Sequence, residues 1–270
     1  MRLFVADLRK LIRRPASLIS LGLLIGLLAL IFIAVGATAR QASAAEGGAA
    51  ALLLVTFPGA YTLIISFILG LGGLFAVIYG AAIAGSEWNW GTLKSAVARG
   101  ESRSRYQLSL FASIALMIGI GLLIAFGVGV IVAVIAAGLA DVSTAGMSDA
   151  NALGTLPELL GRAWLAVVEE GAIGFAIATL ARSQLAGIGA GIGIYFAEQF
   201  ASIFLPDIVK YLPFDAANAV VAVADEGFGG GGGQLATRLE PNVALLVVIA
   251  WLVGSLAVAS LFTERAEITG

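Results

Sequence analysis

Six long apolar runs constrain this chain more than any other feature of its sequence. A helix needs about 17–25 consecutive apolar residues to cross a bilayer. Runs of that length or longer cover approximately residues 16–36, 60–84, 108–139, 163–181, 185–204 and 243–262. Because backbone polar groups in lipid must bond within their own segment, we expect each run to be helical. The sequence therefore predicts an all-α integral membrane protein with six transmembrane helices.

The composition agrees with a membrane location. Of the 270 residues, 60% are hydrophobic and 12% are charged, whereas soluble domains are about 45–50% apolar and about 25% charged. Most surface positions would have to be apolar, which excludes an ordinary soluble domain. The third run exceeds what a bilayer needs, so we expect it to tilt, to kink at Gly127 or Gly129, or to project from the membrane. We also expect a short apolar helix at residues 49–57, which Pro58 separates from the second span.

The basic residues predict the orientation of the spans. An even number of spans puts both termini on one side of the membrane. Of the fifteen basic residues, four then lie on the other side, namely Arg40, Arg162, Lys210 and Arg238. The positive-inside rule therefore predicts a multi-pass protein with both termini cytoplasmic, and we expect its location to be a bacterial-type inner (plasma) membrane. Residues 1–270 form a single transmembrane domain in this interpretation, with a cytoplasmic loop at 86–107 and an extracellular loop at 205–242.

The first fourteen residues, MRLFVADLRKLIRR, have an amphipathic pattern. At about 100° per residue, one arc of a helix gathers the apolar side chains and the opposite arc the basic ones. The apolar members are Phe4, Val5, Leu8, Leu11 and Ile12. We predict a helix over residues 1–14 that lies along the membrane surface, with its basic side near anionic headgroups. The alternative is an anchor that only sets the topology.

The polar stretch SEWNWGTLKSAVARGESRSR, residues 86–105, stands between two apolar runs. It combines tryptophans, which favour the headgroup level, with a concentration of basic residues. We predict a short helix within residues 88–99, with Trp90, Leu93 or Val97 facing a partner. Glu87 ends the preceding span, and we expect it to form an ion pair with Arg103 or Arg105. The alternative is a solvated loop that acts only as a topology signal.

Three acidic residues lie inside predicted spans: Glu169, Glu170 and Glu198. Ionisable groups at such depth are costly and usually face a cavity or a partner. One interpretation is that the fourth span starts late and leaves Glu169 and Glu170 in interfacial water, paired with Arg162. The other is an acidic patch on a substrate pathway that favours cationic or zwitterionic amphiphiles.

Glycines recur at four-residue spacing in the fifth span, as the pairs Gly187/Gly191 and Gly189/Gly193. Small residues at this spacing let helix backbones approach closely in lipid. The sequence leaves open whether these pairs pack within one subunit or between two. The glycine-rich segment at residues 227–234 lacks the Gly-Lys-Ser/Thr of a phosphate-binding loop, and we interpret it as a linker.

Several kinds of chemistry are excluded by residue types alone. The chain has no cysteine and no histidine, which excludes disulfides, thiolate nucleophiles, imidazole bases and zinc sites built from those ligands. We predict no catalytic, cofactor or metal site. A net charge of −2 does not suggest a nucleic-acid partner. No nucleotide-binding motif occurs, so any ATP hydrolysis must take place in another polypeptide.

The order of these features resembles a known family, the membrane (permease) subunits of type-2 ABC export systems, in the ABC transporter permease family. The segments that carry the resemblance are KLIRRP, GSEWNWGTLKSAVARGESRSRYQLS, YLPFDAANAV and LFTERAEITG. The most specific pattern is Glu87, Gly91, Thr92, Leu93 and Lys94, followed by Arg103 and Arg105. Ala266 departs from the family pattern, since an acidic residue often follows the arginine there.

The resemblance implies a dimeric permease, as a homodimer or heterodimer, that exports an amphiphilic or drug-like molecule. It implies two copies of a separate ATPase subunit, which would bind ATP and Mg²⁺. The N-terminal helix would act as a connecting helix and the 86–107 loop as the coupling loop. The coupling residues would be Glu87, Trp90, Gly91, Thr92, Leu93, Lys94, Val97, Arg103 and Arg105. An ion-coupled secondary transporter or channel is the alternative, and the acids in the spans would suit it.

Overall fold

The computed structural model describes residues 2–42, 52, 55–221 and 238–266. Within these residues the chain forms helices and no strand. The α-helices are α1 (Arg2–Ile12), α2 (Pro15–Ala42), α3 (Gly59–Asn89), α4 (Thr92–Ala98), α5 (Arg103–Ala140), α6 (Ala150–Ala181), α7 (Gln184–Ala201), α8 (Pro206–Val209), α9 (Pro213–Ala219) and α10 (Pro241–Arg265). A π-helical turn, Ile68–Gly72, lies inside α3, and a 3₁₀ turn, Ala145–Ser148, precedes α6.

Five of the described helices are long and apolar enough to cross a membrane, namely α2, α3, α5, α6 and α10. The protein is therefore a multi-pass membrane protein, and the part of the chain that the structure describes is all helical. The fifth predicted span, 185–204, does form a helix, α7. Because α7 includes Gln184, Glu198 and Gln199 in only 18 residues, it is not among the five.

The long helices other than α7 extend beyond the predicted apolar runs. The helix α5 has 38 residues, including Gly127 and Gly129, and is therefore about 57 Å long. The helix α6 begins at Ala150, well before the predicted start at 163, and the Asp149 side chain accepts a 2.8 Å hydrogen bond from the Ala152 N–H there. The glycine-rich segment and most of the expected 49–57 helix lie outside the described residues.

The central helix of the bundle is α6. It packs against α3, α5, α7, α9 and α10. In its most apolar stretch 78% of the residues are buried, against 17% for α2 and α10. The helices α2 and α10 are therefore peripheral and face the lipid, whereas α6 holds the bundle together.

Glycines allow the helices around α6 to approach closely. A side chain at Gly80 would overlap the Gly171 carbonyl, and one at Gly174 would overlap the Val77 carbonyl, so the α3 and α6 backbones touch. On α7, Gly187 packs against α6 and Gly191 against α3.

The two glycine pairs of α7 thus have different surroundings. Gly187 and Gly191 pack within the subunit, while Gly189 and Gly193 are exposed and have no neighbouring atom within 4 Å of a built Cβ. Packing inside the subunit therefore accounts for one pair only.

Candidate functional site

The most connected polar residue of the described structure is Glu87, in the last turn of α3. It is 2% exposed. Its Oε1 accepts hydrogen bonds from Lys10 Nζ and from Arg14 Nη2 at 3.3 Å. Its Oε2 accepts hydrogen bonds from Thr92 Oγ1 and from the Tyr106 hydroxyl at 2.5 Å. We call these five residues the Glu87 junction.

The Glu87 junction joins four segments through one carboxylate. Lys10 belongs to α1, Arg14 lies between α1 and α2, Thr92 starts α4, and Tyr106 lies in the first turn of α5. Arg14 also donates a 2.7 Å hydrogen bond to Ser86 Oγ. Removing one partner of a buried ion pair leaves the other charge uncompensated, which is strongly destabilising. The junction therefore fixes α1, α4 and α5 against the end of α3.

The predicted ion pair of Glu87 with Arg103 or Arg105 is wrong. Because α1 folds back and packs against α5, it brings Lys10 and Arg14 to the carboxylate instead. Arg103 reaches the end of α10, where its Nη1 donates to the carbonyls of Thr263 (3.3 Å), Glu264 (2.9 Å) and Ala266 (2.7 Å). A cation near the last carbonyls of a helix is favourable, so Arg103 caps α10. Arg105 is exposed.

The loop after α3 turns at Gly91, whose φ of +64° lies in the left-handed region that glycine adopts without strain. The predicted helix within residues 88–99 is confirmed as α4. It buries Leu93 and Ala96 in a cluster with Tyr106, to which the partly buried Trp88 and Val97 contribute. Leu93 is therefore turned toward the subunit, not outward to a partner.

The outer face of this loop combines an aromatic side chain with positive charge. Trp90 is 66% exposed, and Lys94 and Arg99 are also exposed. The Arg14 guanidinium lies 4.9 Å from the Trp90 ring centroid, a cation–π distance that orients the indole. A basic surface with an exposed tryptophan is suited to a protein partner, because interfaces are enriched in tryptophan.

The helix α1 is fastened to α5 by further polar contacts. Ser109 Oγ donates a 3.1 Å hydrogen bond to the buried Asp7 Oδ2. Burial raises the pKa of Asp7, while the Ser109 hydrogen bond and the nearby Lys10 oppose that shift. The apolar arc of α1 is divided, since Leu11 is buried whereas Val5 and Ile12 are exposed.

A second group of polar residues lies in the interior of the bundle. Glu169 and Glu170 are 0% exposed, and their carboxyl oxygens have no hydrogen-bond partner within the described part of the chain. Glu170 lies against Gly73, directly after the π-helical turn of α3. The interpretation that these acids sit in interfacial water is wrong, because α6 begins about three and a half turns earlier than predicted and carries them into the core. Arg162 instead pairs with Glu158 at 2.7 Å.

Glu198, the third predicted pathway residue, lies on α7 next to this group. Its Oε1 accepts a 2.7 Å hydrogen bond from the Asp215 N–H at the start of α9. From the same helix, the Tyr195 hydroxyl donates a 3.1 Å hydrogen bond to the Gly70 carbonyl of the π-helical turn. The three glutamates are near enough to interact electrostatically, although no three acidic side chains in the described ranges are grouped to hold a metal ion.

These features define the class of the protein: a multi-pass helical membrane protein with a charged junction at one end of the bundle and buried carboxyl groups in its interior. No protein-family model matches the chain, and no curated protein matches it. Its function is therefore inferred from these two groups of residues and from the resemblance of its sequence.

Proposed function

We propose that this protein is the membrane permease subunit of a type-2 ABC exporter, coupled to a separate ATPase and exporting an amphiphilic or drug-like molecule. The observation that carries the proposal is the Glu87 junction. It holds α1, α4 and α5 as one unit, while Trp90, Lys94 and Arg99 point outward from the same loop. Such a unit is suited to receive a movement from a partner and pass it to the helices.

In this proposal α7 also crosses the membrane, as the fifth of six spans, so both termini and the Glu87 junction are cytoplasmic in a bacterial-type inner membrane. Energetic coupling between distant sites is carried by packed, rigid elements. A push on the outer face of the 86–107 loop would move α1 and α5 through Glu87. It would reach α6 through the glycine-mediated contact of α3 with α6.

The second permease subunit, a copy of this chain or a related one, would pack on the outward face of α7. That face carries the open glycines Gly189 and Gly193 beside the exposed Phe196 and Phe200. Glycines without a covering atom and exposed aromatic side chains favour close helix association in lipid. ATP and Mg²⁺ would be bound by the two ATPase copies, since this chain has no nucleotide-binding motif.

The proposal is tested by affinity purification of the tagged protein from its native membrane, followed by reconstitution of the recovered complex. We expect an ATPase at one copy per permease and export that requires hydrolysable ATP. Recovery of a transport-active protein that lacks any ATPase would overturn the proposal.

One observation favours a second candidate, an ion-coupled secondary transporter. Glu169 and Glu170 are fully buried without a polar partner in the described part of the chain, and intramembrane acids often serve ion coupling. The discriminating experiment reconstitutes the protein alone and applies a proton or sodium gradient. Gradient-driven transport that Glu170→Gln abolishes would favour this candidate; gradient-independent, ATP-dependent transport would exclude it.

A further inference from the structure

An apolar groove of about 320 Å³ lies between α2, α3 and α5, and none of the junction residues or the interior glutamates lines it. Its floor is formed by buried side chains, among them Leu24, Ile68, Ala76 and Val167. Its rim is formed by exposed ones, including Leu18, Ile120 and Ile124. Because these helices face lipid at their exposed surfaces, the groove opens sideways into the bilayer.

The groove is shaped to hold an apolar chain. Gly72 and Gly121 stand in its walls, and the absence of side chains at these positions deepens it. Among its polar lining groups, the hydroxyls of Ser17 and Tyr79 lie at the end nearest α1. These hydroxyls bond to each other at 3.0 Å, and Ser17 Oγ also lies 2.9 Å from the Leu11 carbonyl oxygen. The groove therefore attracts hydrocarbon and not a polar ligand along its length.

Positive charge stands at the same end. Ile12 lines the groove, and the exposed Arg13 follows it directly. The exposed Arg9 lies four residues earlier, in α1. Basic side chains at a membrane surface attract anionic lipid headgroups. The charge of this end is complementary to a phosphodiester whose hydrocarbon enters the groove.

We propose that the groove binds one acyl chain of an anionic phospholipid, with the phosphate of that lipid at Arg9 and Arg13. The bound chain fills the space between α2 and α3 and so supports the position of α1, whose last turn borders the groove. This site does not depend on the exporter proposal, because the lipid comes from the bilayer and needs no ATPase.

The site is tested with the purified full-length protein in nanodiscs that contain phosphatidylglycerol carrying a photoreactive diazirine on one acyl chain. Labelled positions are mapped by mass spectrometry. We expect labelling concentrated on groove residues such as Ile68, Phe75 and Ile118, and about tenfold less at lipid-facing positions elsewhere, such as Leu246. Equal labelling at groove and non-groove positions would overturn the proposal, as would occupation of the groove by a second copy of the chain.

Two matched glycine variants test the groove itself. Gly121→Phe adds a ring inside the groove, where a built Cβ has only Leu21 within 4 Å, at 3.8 Å. Gly127→Phe adds the same ring to the same helix at an exposed position with nothing within 4 Å. We expect at least a fivefold loss of groove labelling in Gly121→Phe and no loss in Gly127→Phe. Competition of the wild-type label by unlabelled phosphatidylglycerol gives a second readout that does not depend on either variant folding.

The headgroup is tested by the double variant Arg9→Gln, Arg13→Gln, with Arg99→Gln, Arg105→Gln as a control of equal charge change. We expect competition by phosphatidylglycerol to weaken about fivefold for each arginine removed from α1 and its end, and to be unaffected in the control. Equal competition by phosphatidylcholine in the wild type would show that the anionic headgroup is not recognised.

Discussion

At the scale of single residues, Glu87 joins α1, α4 and α5 to the end of α3. The importance of Glu87 could be predicted from its place between an apolar run and a basic loop, but its partners could not. Lys10 lies 77 residues away in the chain, and only the packing of α1 on α5 brings it near. Arg103 and Arg105 are closer in sequence, yet the turn into α5 directs Arg103 to the end of α10. The basic residues of the N-terminal segment were the feature of the sequence that could have indicated Lys10 and Arg14 as partners of Glu87.

We expect Glu87→Gln to destabilise the protein by about 2 kcal/mol or more, since it leaves Lys10 and Arg14 facing a neutral amide. Breaking a buried ion pair costs about 3–5 kcal/mol, and the 29% exposure of the Lys10 side chain reduces that figure. The thermal unfolding midpoint in detergent measures the effect. Glu264→Gln, at an exposed position, is the matched control, and an equal shift in both variants would contradict the account.

Gly91 allows the chain to adopt the left-handed turn between α3 and α4. Gly91 has a φ of +64° and open space where a Cβ would lie. Gly91→Ala should therefore lower the free energy of unfolding by about 1–2 kcal/mol through backbone strain alone. Gly100→Ala, with a φ of +89° and equally open surroundings, should cost a similar amount at the other end of the loop. Unfolding midpoints and binding of the proposed ATPase partner are measured for both variants. Only Gly91→Ala should weaken binding, because only Gly91 orients α4 beside Trp90; unaltered binding would show that this turn is not part of the interface.

At the scale of the helices, the apolar runs were sufficient to predict where each long helix lies, because apolar segments of that length are stable chiefly as helices in lipid. They were insufficient for the helix ends. Residues 150–162 of α6 include Pro157, Glu158 and Arg162, so a search for apolar residues alone starts the span too late. That error underlies the interpretation that Glu169 and Glu170 lie in interfacial water. Their burial follows from the full length of α6 and its contact with α3.

The contact between α3 and α6 predicts that substitutions of glycines inside and outside it differ in their effect on stability. Gly174→Ala should cost at least about 2 kcal/mol, because the new Cβ would overlap the Val77 carbonyl and a backbone atom cannot easily move aside. Gly189→Ala should be tolerated, since nothing lies within 4 Å of that position. The yield of monodisperse protein and its unfolding midpoint test the pair. Equal stability of the two variants would mean that the helices are not in backbone contact.

The outward face of α7 predicts the effect of a larger side chain on association. Gly189→Leu should lower the dimer fraction in liposomes by about tenfold while leaving the unfolding midpoint of the subunit unchanged. The same substitution at Gly254, an open position on the lipid-facing side of α10, is the control. Single-molecule photobleaching measures the dimer fraction. A dimer that survives Gly189→Leu but not Gly254→Leu would place the interface on α10.

At the scale of the whole molecule, the Glu87 junction and the interior carboxyl groups lie at different depths of one bundle and are connected through α3 and α6. This arrangement is consistent with a subunit that receives a movement at one end and changes its interior in response. Membrane insertion could be predicted from the sequence because it follows from the apolar runs. The identity of a partner could not, since the residues that would meet it are ordinary exposed side chains whose role depends on another surface.

The central claim is that the 86–107 loop contacts an ATPase, and cysteine cross-linking in the native membrane tests it most directly. The natural chain has no cysteine, so Trp90→Cys and Lys94→Cys each introduce a single reactive thiol on the outer face of the loop. Ser143→Cys introduces one at the opposite end of α5 and serves as the control. We predict a cross-linked adduct of permease and ATPase for Trp90→Cys and Lys94→Cys and none for Ser143→Cys. An adduct formed only by Ser143→Cys, or by none of the three while the ATPase is present in the membrane, would contradict the account.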